Sequence, residues 1–264
     1  MIVTRVEAGL RLVRQVDHQD QCALVADAWG NSEFERPAHF DAIRLAAAIH
    51  DEGWREWEGT PDITRDGIPV DFPQIDRPTH LALYRRAIER ACALDPRAGL
   101  LVSLHGRGLY EKRLGLDGAP TTLNLRTPAE REFILREVDR QEELARVLGM
   151  DTPLNEWSWA AYRLLQAWDQ LSLYLVWTGL ASGEGSALIR VPRTTDDRDG
   201  LSVVLTPVDG FSCTIHPWPF SSKTVVVPVA CRMIKDRSYR DREDLTATLN
   251  AATWETVRFT VRAA

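Results

Sequence analysis

The chain has 264 residues, of which 44% are hydrophobic and 27% charged, a composition typical of a globular protein that buries a substantial core. Its formal net charge is −6 and it has no cluster of lysine and arginine, which argues against nucleic acid or an anionic membrane surface as a partner. It has no signal-peptide pattern, no apolar stretch long enough to span a bilayer, and four cysteines without metal or disulfide spacing, so we expect a cytoplasmic protein with reduced thiols.

The first two thirds of the chain is predicted to be mainly helical. Residues 1–16 alternate loosely between apolar and polar, which predicts two short strands and a turn. Apolar periodicity then predicts helices at residues 17–29, 39–51, 78–94, 97–109, 127–148 and 155–180. Thr127 and Glu130 have the spacing of a capping box at the start of the fifth helix. The segments 52–77 and 115–127 are predicted loops, the first rich in tryptophan, proline and aspartate.

The last third of the chain is predicted to be a sheet. Segments rich in valine, threonine and isoleucine predict strands at residues 187–191, 202–206, 212–216, 224–232 and 255–262, with a short helix at 242–252. A two-stranded hairpin is marginally stable alone, so we expect the N-terminal strands to join this sheet. The predicted fold class is α+β, with a helical domain at residues 15–182 and a smaller antiparallel β subdomain formed by residues 1–14 and 184–264.

The most informative short motif is the adjacent pair His50–Asp51, at the end of an alanine-rich predicted helix. Ile43, Ala46 and His50 have helical spacing, which puts His50 on the apolar side. Imidazole nitrogen and carboxylate oxygen are both good ligands for Zn, Fe or Mn. The pair alone is weak evidence, because a hydrogen-bonded core histidine or a polar residue at a helix end is the simpler explanation.

Four further residues on predicted helices have side chains that can bind a metal. His18 shares an apolar stripe with Cys22, and His105 follows Leu101 by one turn. Asp169 continues a row of apolar residues, where an ionised carboxylate is costly to bury unless it is paired or bound to a metal. His80 lies in the first turn of its predicted helix, a position that also suits an exposed side chain. Each residue taken alone fits an ordinary core or surface role, but the set favours a metal site.

The order of these residues along the chain resembles that of the HD superfamily. The resemblance rests on the sequence around His18, His50–Asp51, His105 and Asp169, within segments 15–19, 48–57, 100–106 and 168–173. Segments 71–73 and 216–220 extend it to a similarity between nearly the whole chain and an uncharacterised bacterial family of HD-like proteins. Three features depart from the HD pattern. Trp54 stands where many HD hydrolases have a lysine, and neither the long loop at 52–77 nor the terminal sheet is part of the common HD core.

The resemblance implies a helical protein that binds one or two divalent ions, Fe, Mn or Zn. It implies that His18, His50, Asp51 and Asp169 hold the first ion, and that Asp51 bridges to a second ion completed by His80 and His105. Asp51 and His105 are then the candidate catalytic residues. Arg107 and Lys112 are possible cationic contributors, although solvated surface charges explain them better. Trp54 and Trp57 suit a pocket wall and a core position equally well.

The leading functional hypothesis is metal-dependent hydrolysis of a phosphate ester or phosphodiester, with a small phosphorylated molecule as the substrate. Two alternatives remain open at this stage, a di-iron oxygenase that uses the same residues and a protein that binds or senses a metal without catalysis. Motifs for a nucleophile elbow, a P-loop or a dinucleotide site are absent from the sequence. The sequence leaves the oligomeric state open.

Overall fold

The computed structural model describes residues 1–111 and 127–264. Within these residues the α-helices are α1 (Gln15–Ala28), α2 (Phe40–Ile49), α3 (Arg77–Leu94), α4 (Pro96–Gly108), α5 (Pro128–Val147), α6 (Glu156–Val176), α7 (Thr178–Ser182) and α8 (Arg242–Ala251). The strands are β1 (Ile2–Val6), β2 (Gly9–Val13), β3 (Ser186–Val191), β4 (Leu201–Asp209), β5 (Ser212–His216), β6 (Thr224–Ile234) and β7 (Trp254–Ala263). None of the helices described here is long and apolar enough to cross a membrane.

All these strands form one sheet in the order β1-β2-β6-β7-β5-β4-β3. Neighbouring strands are antiparallel, except that β5 and β7 run parallel. The chain therefore has the predicted α+β fold class. The N-terminal hairpin also joins the sheet as predicted, because Leu10 of β2 pairs with Ile234 of β6.

The helical boundaries differ from the predicted ones at two places that matter for the site. Helix α2 ends at Ile49, so His50 and Asp51 lie just beyond it, and Asp51 precedes a short 3-10 turn, Glu52–Trp54. The last long helix ends at Val176 rather than 180, because Trp177 leaves the helical conformation before α7 begins. The predicted loop at 52–77 contains two further 3-10 turns. The predicted loop at 115–127 lies outside the described residues up to position 126.

Helices α1 and α6 lie side by side at the centre of the molecule, with α1 also packed against β6. Both are buried on nearly every side, and the main hydrophobic core includes side chains from helices and strands alike, such as Trp168 of α6 and Val227 of β6. Helix α1 is unusual because many of its buried residues are polar. Polar side chains are rarely buried without partners, so this helix directs attention to what they contact.

Candidate metal centre

Four of the predicted ligand residues meet between α1, the end of α2 and α6. The Nε2 atom of His18 lies 3.0 Å from Oδ1 of Asp169. The Nε2 atom of His50 lies 3.5 Å from Oδ2 of Asp51 and 3.8 Å from Oδ1 of Asp169. All four residues are buried, with exposures of 5% or less. The four residues therefore lie close together in the fold, and their role as ligands stays a prediction.

One hydrogen bond of His50 fixes the tautomer of its neutral ring. Its Nδ1 atom lies 2.9 Å from the carbonyl oxygen of Ala47, which can only accept, so Nδ1 carries a proton. In the neutral ring Nε2 then presents a lone pair, and this atom has no hydrogen-bond partner among the described residues. The same holds for Oδ1 of Asp51. Two neighbouring residues thus each have one buried atom that can accept and that lacks a hydrogen-bond partner among the described residues.

The group also contains a buried negative charge that has to be compensated. Asp169 remains ionised: although burial raises the pKa of its carboxyl, the hydrogen bond with His18 and the charges of His105, His18 and His50 lower it further, to a net value below the usual range. Such carboxylates need a nearby positive charge, since an unpaired buried charge is costly. Protonated histidines or a divalent cation would meet this need. The donor set, imidazole nitrogen and carboxylate oxygen, suits Zn, Fe or Mn.

A cavity of about 220 Å³ gives access to the group. Its lining includes both carboxylates, His18, His80 and His105, and Arg77 is the one lysine or arginine among the described residues that line it. Tyr84 lies in the same wall, where burial, followed by the charges of Asp51 and Asp169, raises its pKa well above the usual value. Its hydroxyl therefore remains protonated at neutral pH and can donate a hydrogen bond.

The two remaining predicted ligands, His105 and His80, line the same cavity but differ in position. The ring centre of His105 is 5.1 Å from that of His50, so it lies beside the main group. The ring of His80 contacts Trp54, Tyr84 and Tyr110, and its Nδ1 atom forms a hydrogen bond with the Tyr110 hydroxyl. Burial, with a smaller contribution from the charge of Arg77, lowers the pKa of His80 to about 4. His80 is therefore neutral at pH 7, with one ring nitrogen already in use.

Cys22 is a neighbour that the sequence reasoning did not select as a ligand. Ligand atoms of His18, Cys22 and His50 lie within 4.8 Å of one another. However, the sulfur is almost equidistant from the two nitrogens of His18, at 4.0 and 3.9 Å, so it lies off the lone-pair direction of both. Its S–H donates to the carbonyl oxygen of Trp168, and burial raises the pKa of the thiol well above its usual value. Cys22 consequently fits packing against His18 better than coordination beside it.

The turn that presents Asp51 is held by side-chain and backbone packing. Gln19 accepts a hydrogen bond from the Asp51 backbone N–H at 2.9 Å and donates one to Glu52 at 2.9 Å. Gly53 packs directly on α3, since a Cβ added there would lie 1.9 Å from the carbonyl oxygen of Leu83. Only glycine fits so close a backbone contact. The one available sequence signal was the glycine two residues after Asp51.

Trp54, Trp57 and Arg107 lie outside the cavity lining. Trp54 is a fully buried core residue and packs edge-to-face against Trp57, which is half-buried against a second, smaller apolar cluster. Arg107 forms an ion pair with Glu111 and donates to Gln141 at 2.8 Å. Lys112 lies outside the described residues.

Comparison with known proteins yields a family without an assigned activity. The family model described as "Protein of unknown function (DUF3891)" matches residues 1–236, most of the chain. The chain therefore belongs to this family. No curated protein and no solved structure matches it.

The predicted membership of the HD superfamily is wrong. The matching model is DUF3891 rather than an HD family, and the fold includes a curled seven-stranded sheet that packs against the helices. The physical reason is that several helices packed around a buried polar group can yield the same order of histidines and aspartates. That order describes a site, and it does not specify a lineage.

Proposed function

We propose that this member of the DUF3891 family is a metal-dependent hydrolase that acts on a phosphate ester or phosphodiester. A divalent ion, Fe, Mn or Zn, would be held by His18, His50, Asp51 and Asp169. One observation carries the proposal: the Nε2 lone pair of His50 and two carboxylates face one another in a buried space without a lysine or arginine among them.

The residues around this group have separable roles in the proposed reaction. A divalent ion bound there would lower the pKa of water and supply hydroxide near neutral pH. The Oδ1 atom of Asp51, which lacks a hydrogen-bond partner among the described residues, can accept a proton from water in the cavity. His105 contacts His50 from the side of the cavity and can exchange a proton with a leaving group. Arg77 provides positive charge for an anionic ester.

The number of ions is left to experiment. A second ion would have to use His105, one oxygen of Asp51 and the Nε2 atom of His80, since the Nδ1 atom of His80 is engaged by Tyr110. One ion needs only the four residues that already lie together. Two ions per chain would therefore indicate that His80 is a ligand, and one ion per chain would indicate that it is not.

The first experiment measures bound metal. Wild-type protein purified without oxygen is analysed for Fe, Mn and Zn, beside His50→Gln and the control His216→Gln, which changes an exposed histidine on β5. We expect wild type and His216→Gln to hold the same metal and His50→Gln to lose it. Equal metal content in all three proteins would contradict the proposed site.

The second experiment measures reaction. Metal-free protein is reloaded separately with each ion and assayed with p-nitrophenyl phosphate and bis(p-nitrophenyl) phosphate. We expect hydrolysis that depends on the ion and is lost in His50→Gln. Oxygen uptake by the iron form without hydrolysis would replace the proposal with an oxygenase, and tight metal binding without either reaction would indicate a binding or sensing protein.

A further inference from the structure

A chain of buried hydrogen bonds connects the sheet to His18. The side-chain amide of Gln21 donates to the carbonyl oxygen of Val227 on β6 at 3.2 Å. The hydroxyl of Ser172 lies 2.7 Å from Oε1 of Gln21, and the same hydroxyl lies 2.7 Å from Nδ1 of His18. Gln21 and Ser172 are both completely buried.

The direction of each hydrogen bond in this chain can be assigned. A carbonyl oxygen can only accept, so the amide nitrogen of Gln21 faces Val227 and its oxygen faces Ser172. Ser172 has a single hydroxyl proton, and the 2.7 Å contact requires that this proton lies toward the Gln21 oxygen. A second contact of the hydroxyl, to the carbonyl oxygen of His18, is longer at 3.4 Å. The hydroxyl oxygen is then left to accept, and Nδ1 of His18 must be the donor.

This direction fixes which nitrogen of His18 faces the candidate centre. With Nδ1 engaged as the donor to Ser172, Nε2 is the nitrogen that faces Asp169, 3.0 Å away, and an ion bound there would replace the hydrogen bond between these two atoms. Histidines that bind metals usually donate their other ring N–H to an oxygen, which orients the ring and raises its basicity. His50 meets the same requirement through the backbone carbonyl of Ala47, which mutation cannot remove.

We propose that Gln21 and Ser172 are positioning residues that hold His18 in the orientation and tautomer that binds the ion. This inference rests on the proposed metal site. The hydrogen bonds connect His18 on α1 to the backbone of Val227 in the sheet, so the sheet helps to fix the position of His18. Neither residue contacts the cavity, so their effect is exerted on His18 rather than on the substrate.

The test compares Ser172→Ala with Ser103→Ala. Ser103 is an equally buried hydroxyl on α4, where it donates to Glu137 and accepts from Gln141, and it has the same side-chain volume to lose. The dissociation constants for Zn²⁺ and Mn²⁺ are measured by competition with a chromophoric chelator, and the unfolding of the metal-free proteins is measured in urea. We expect Ser172→Ala to raise both dissociation constants roughly 10- to 100-fold. Ser103→Ala should leave them unchanged. The two variants should lose comparable stability.

Two further variants keep the test decisive if Ser172→Ala fails to fold. Ser172→Thr retains the hydroxyl and should bind the ions with an affinity close to that of wild type. Gln21→Met removes the acceptor for the Ser172 proton and should lower the affinity for the ions. Wild-type affinity in Ser172→Ala and Gln21→Met would overturn the positioning role and leave the metal site standing. Failure of the wild-type protein to bind Fe, Mn or Zn would overturn the proposed function, and this inference with it.

Discussion

The Nε2 atom of His18 lies 3.0 Å from Oδ1 of Asp169, although the two residues are 151 positions apart in the chain. The contact joins the two helices at the centre of the fold, α1 and α6. Beside it lie His50 and the second buried carboxylate, Asp51. Because both residues are buried, the charge of Asp169 has to be compensated within the site, by a protonated histidine or by a divalent ion.

The first prediction concerns Asp169→Asn. The amide oxygen can still face His18, so the shape of the site is nearly conserved while the negative charge is lost. We expect the dissociation constant for Zn²⁺ or Mn²⁺ to rise roughly 100-fold or more, since removal of a ligand should cost at least as much as removal of its supporting hydrogen bond. The metal-free protein should also be less stable than wild type at neutral pH, because the lowered pKa of Asp169 means that its ionised form is favoured in the fold.

Chelator competition and urea unfolding check this prediction, with Asp199→Asn as an exposed control. A variant that binds the ion as tightly as wild type would exclude Asp169 from the site.

The second prediction concerns His80→Ala. Because His80 contacts Trp54, Tyr84 and Tyr110 rather than the four clustered residues, its loss should leave an ion bound at those residues. We expect hydrolysis of bis(p-nitrophenyl) phosphate to fall while at least one equivalent of metal remains, and Asp51→Ala to lose both metal and activity. Metal analysis of the two variants beside wild type decides this. Wild-type behaviour of His80→Ala in both measurements would make His80 a bystander in the cavity wall.

The third prediction concerns Arg77→Gln. Arg77 lines the cavity and pairs with Glu130 on α5, whereas Arg85, on the same helix, pairs with Glu132 and is not part of the lining. Arg85→Gln is therefore a matched control that loses a similar ion pair. We expect Arg77→Gln to raise KM for a phosphate ester by roughly tenfold, as loss of one charge-assisted hydrogen bond would, without a change in metal content.

Steady-state kinetics with p-nitrophenyl phosphate test the role of Arg77. An equal rise in KM in both variants would show that the effect arises from the helix rather than from the cavity.

The fourth prediction compares Gly53→Ala with Gly59→Ala. Both glycines lie in 3-10 turns of the same segment, but a Cβ at Gly53 would collide with the backbone of Leu83, whereas the position beside Gly59 is open. We expect Gly53→Ala to cost about 1–3 kcal/mol or more in the free energy of unfolding, by overpacking, and to displace Asp51 from the site. Gly59→Ala should have a small effect.

Urea denaturation and metal content together test the role of Gly53. If Gly53→Ala has wild-type stability and metal affinity, the contact between this turn and α3 does not position Asp51.

The fifth prediction concerns the pH dependence of stability in the metal-free protein. Burial, and secondarily Arg77, lowers the pKa of His80 from 6.5 to about 4. Between these two values the unfolded chain binds more protons than the folded protein at this residue, so stability falls as the pH falls through that range. Above pH 6.5 the contribution of His80 is constant.

We therefore expect His80→Ala to lose less stability than wild type between pH 6.5 and 4. The free energy of unfolding of both proteins is measured in urea at several pH values, with a chelator present. The difference between the two curves cancels the contribution of every other titrating group that the proteins share. Parallel curves for the two proteins would show that His80 titrates normally.

Local signals in the sequence determined most of the secondary structure. Thr127 and Glu130 form the predicted capping box at the start of α5, and the alternating N-terminal segments form the predicted hairpin. These signals act within a few residues, through caps, turns and periodicity, so they can be recognised without the fold. The same reasoning identified His18 and Asp169 as polar residues on the apolar faces of their helices, which is a local property of each helix, and it placed His50 on the helix that in fact ends one residue earlier.

Tertiary packing decided which of these residues share one space and which have other partners. The sequence did not indicate that Tyr110 would engage His80, that Ser172 and Gln21 would orient His18, or that Cys22 would lie off the lone-pair directions of His18. It also suggested the wrong superfamily, because the order of ligand-type residues along a chain is insensitive to how strands and helices pack. Contacts between positions far apart in the sequence depend on the packing of α1, α6 and β6 around one core, and no periodicity within a single element encodes that arrangement.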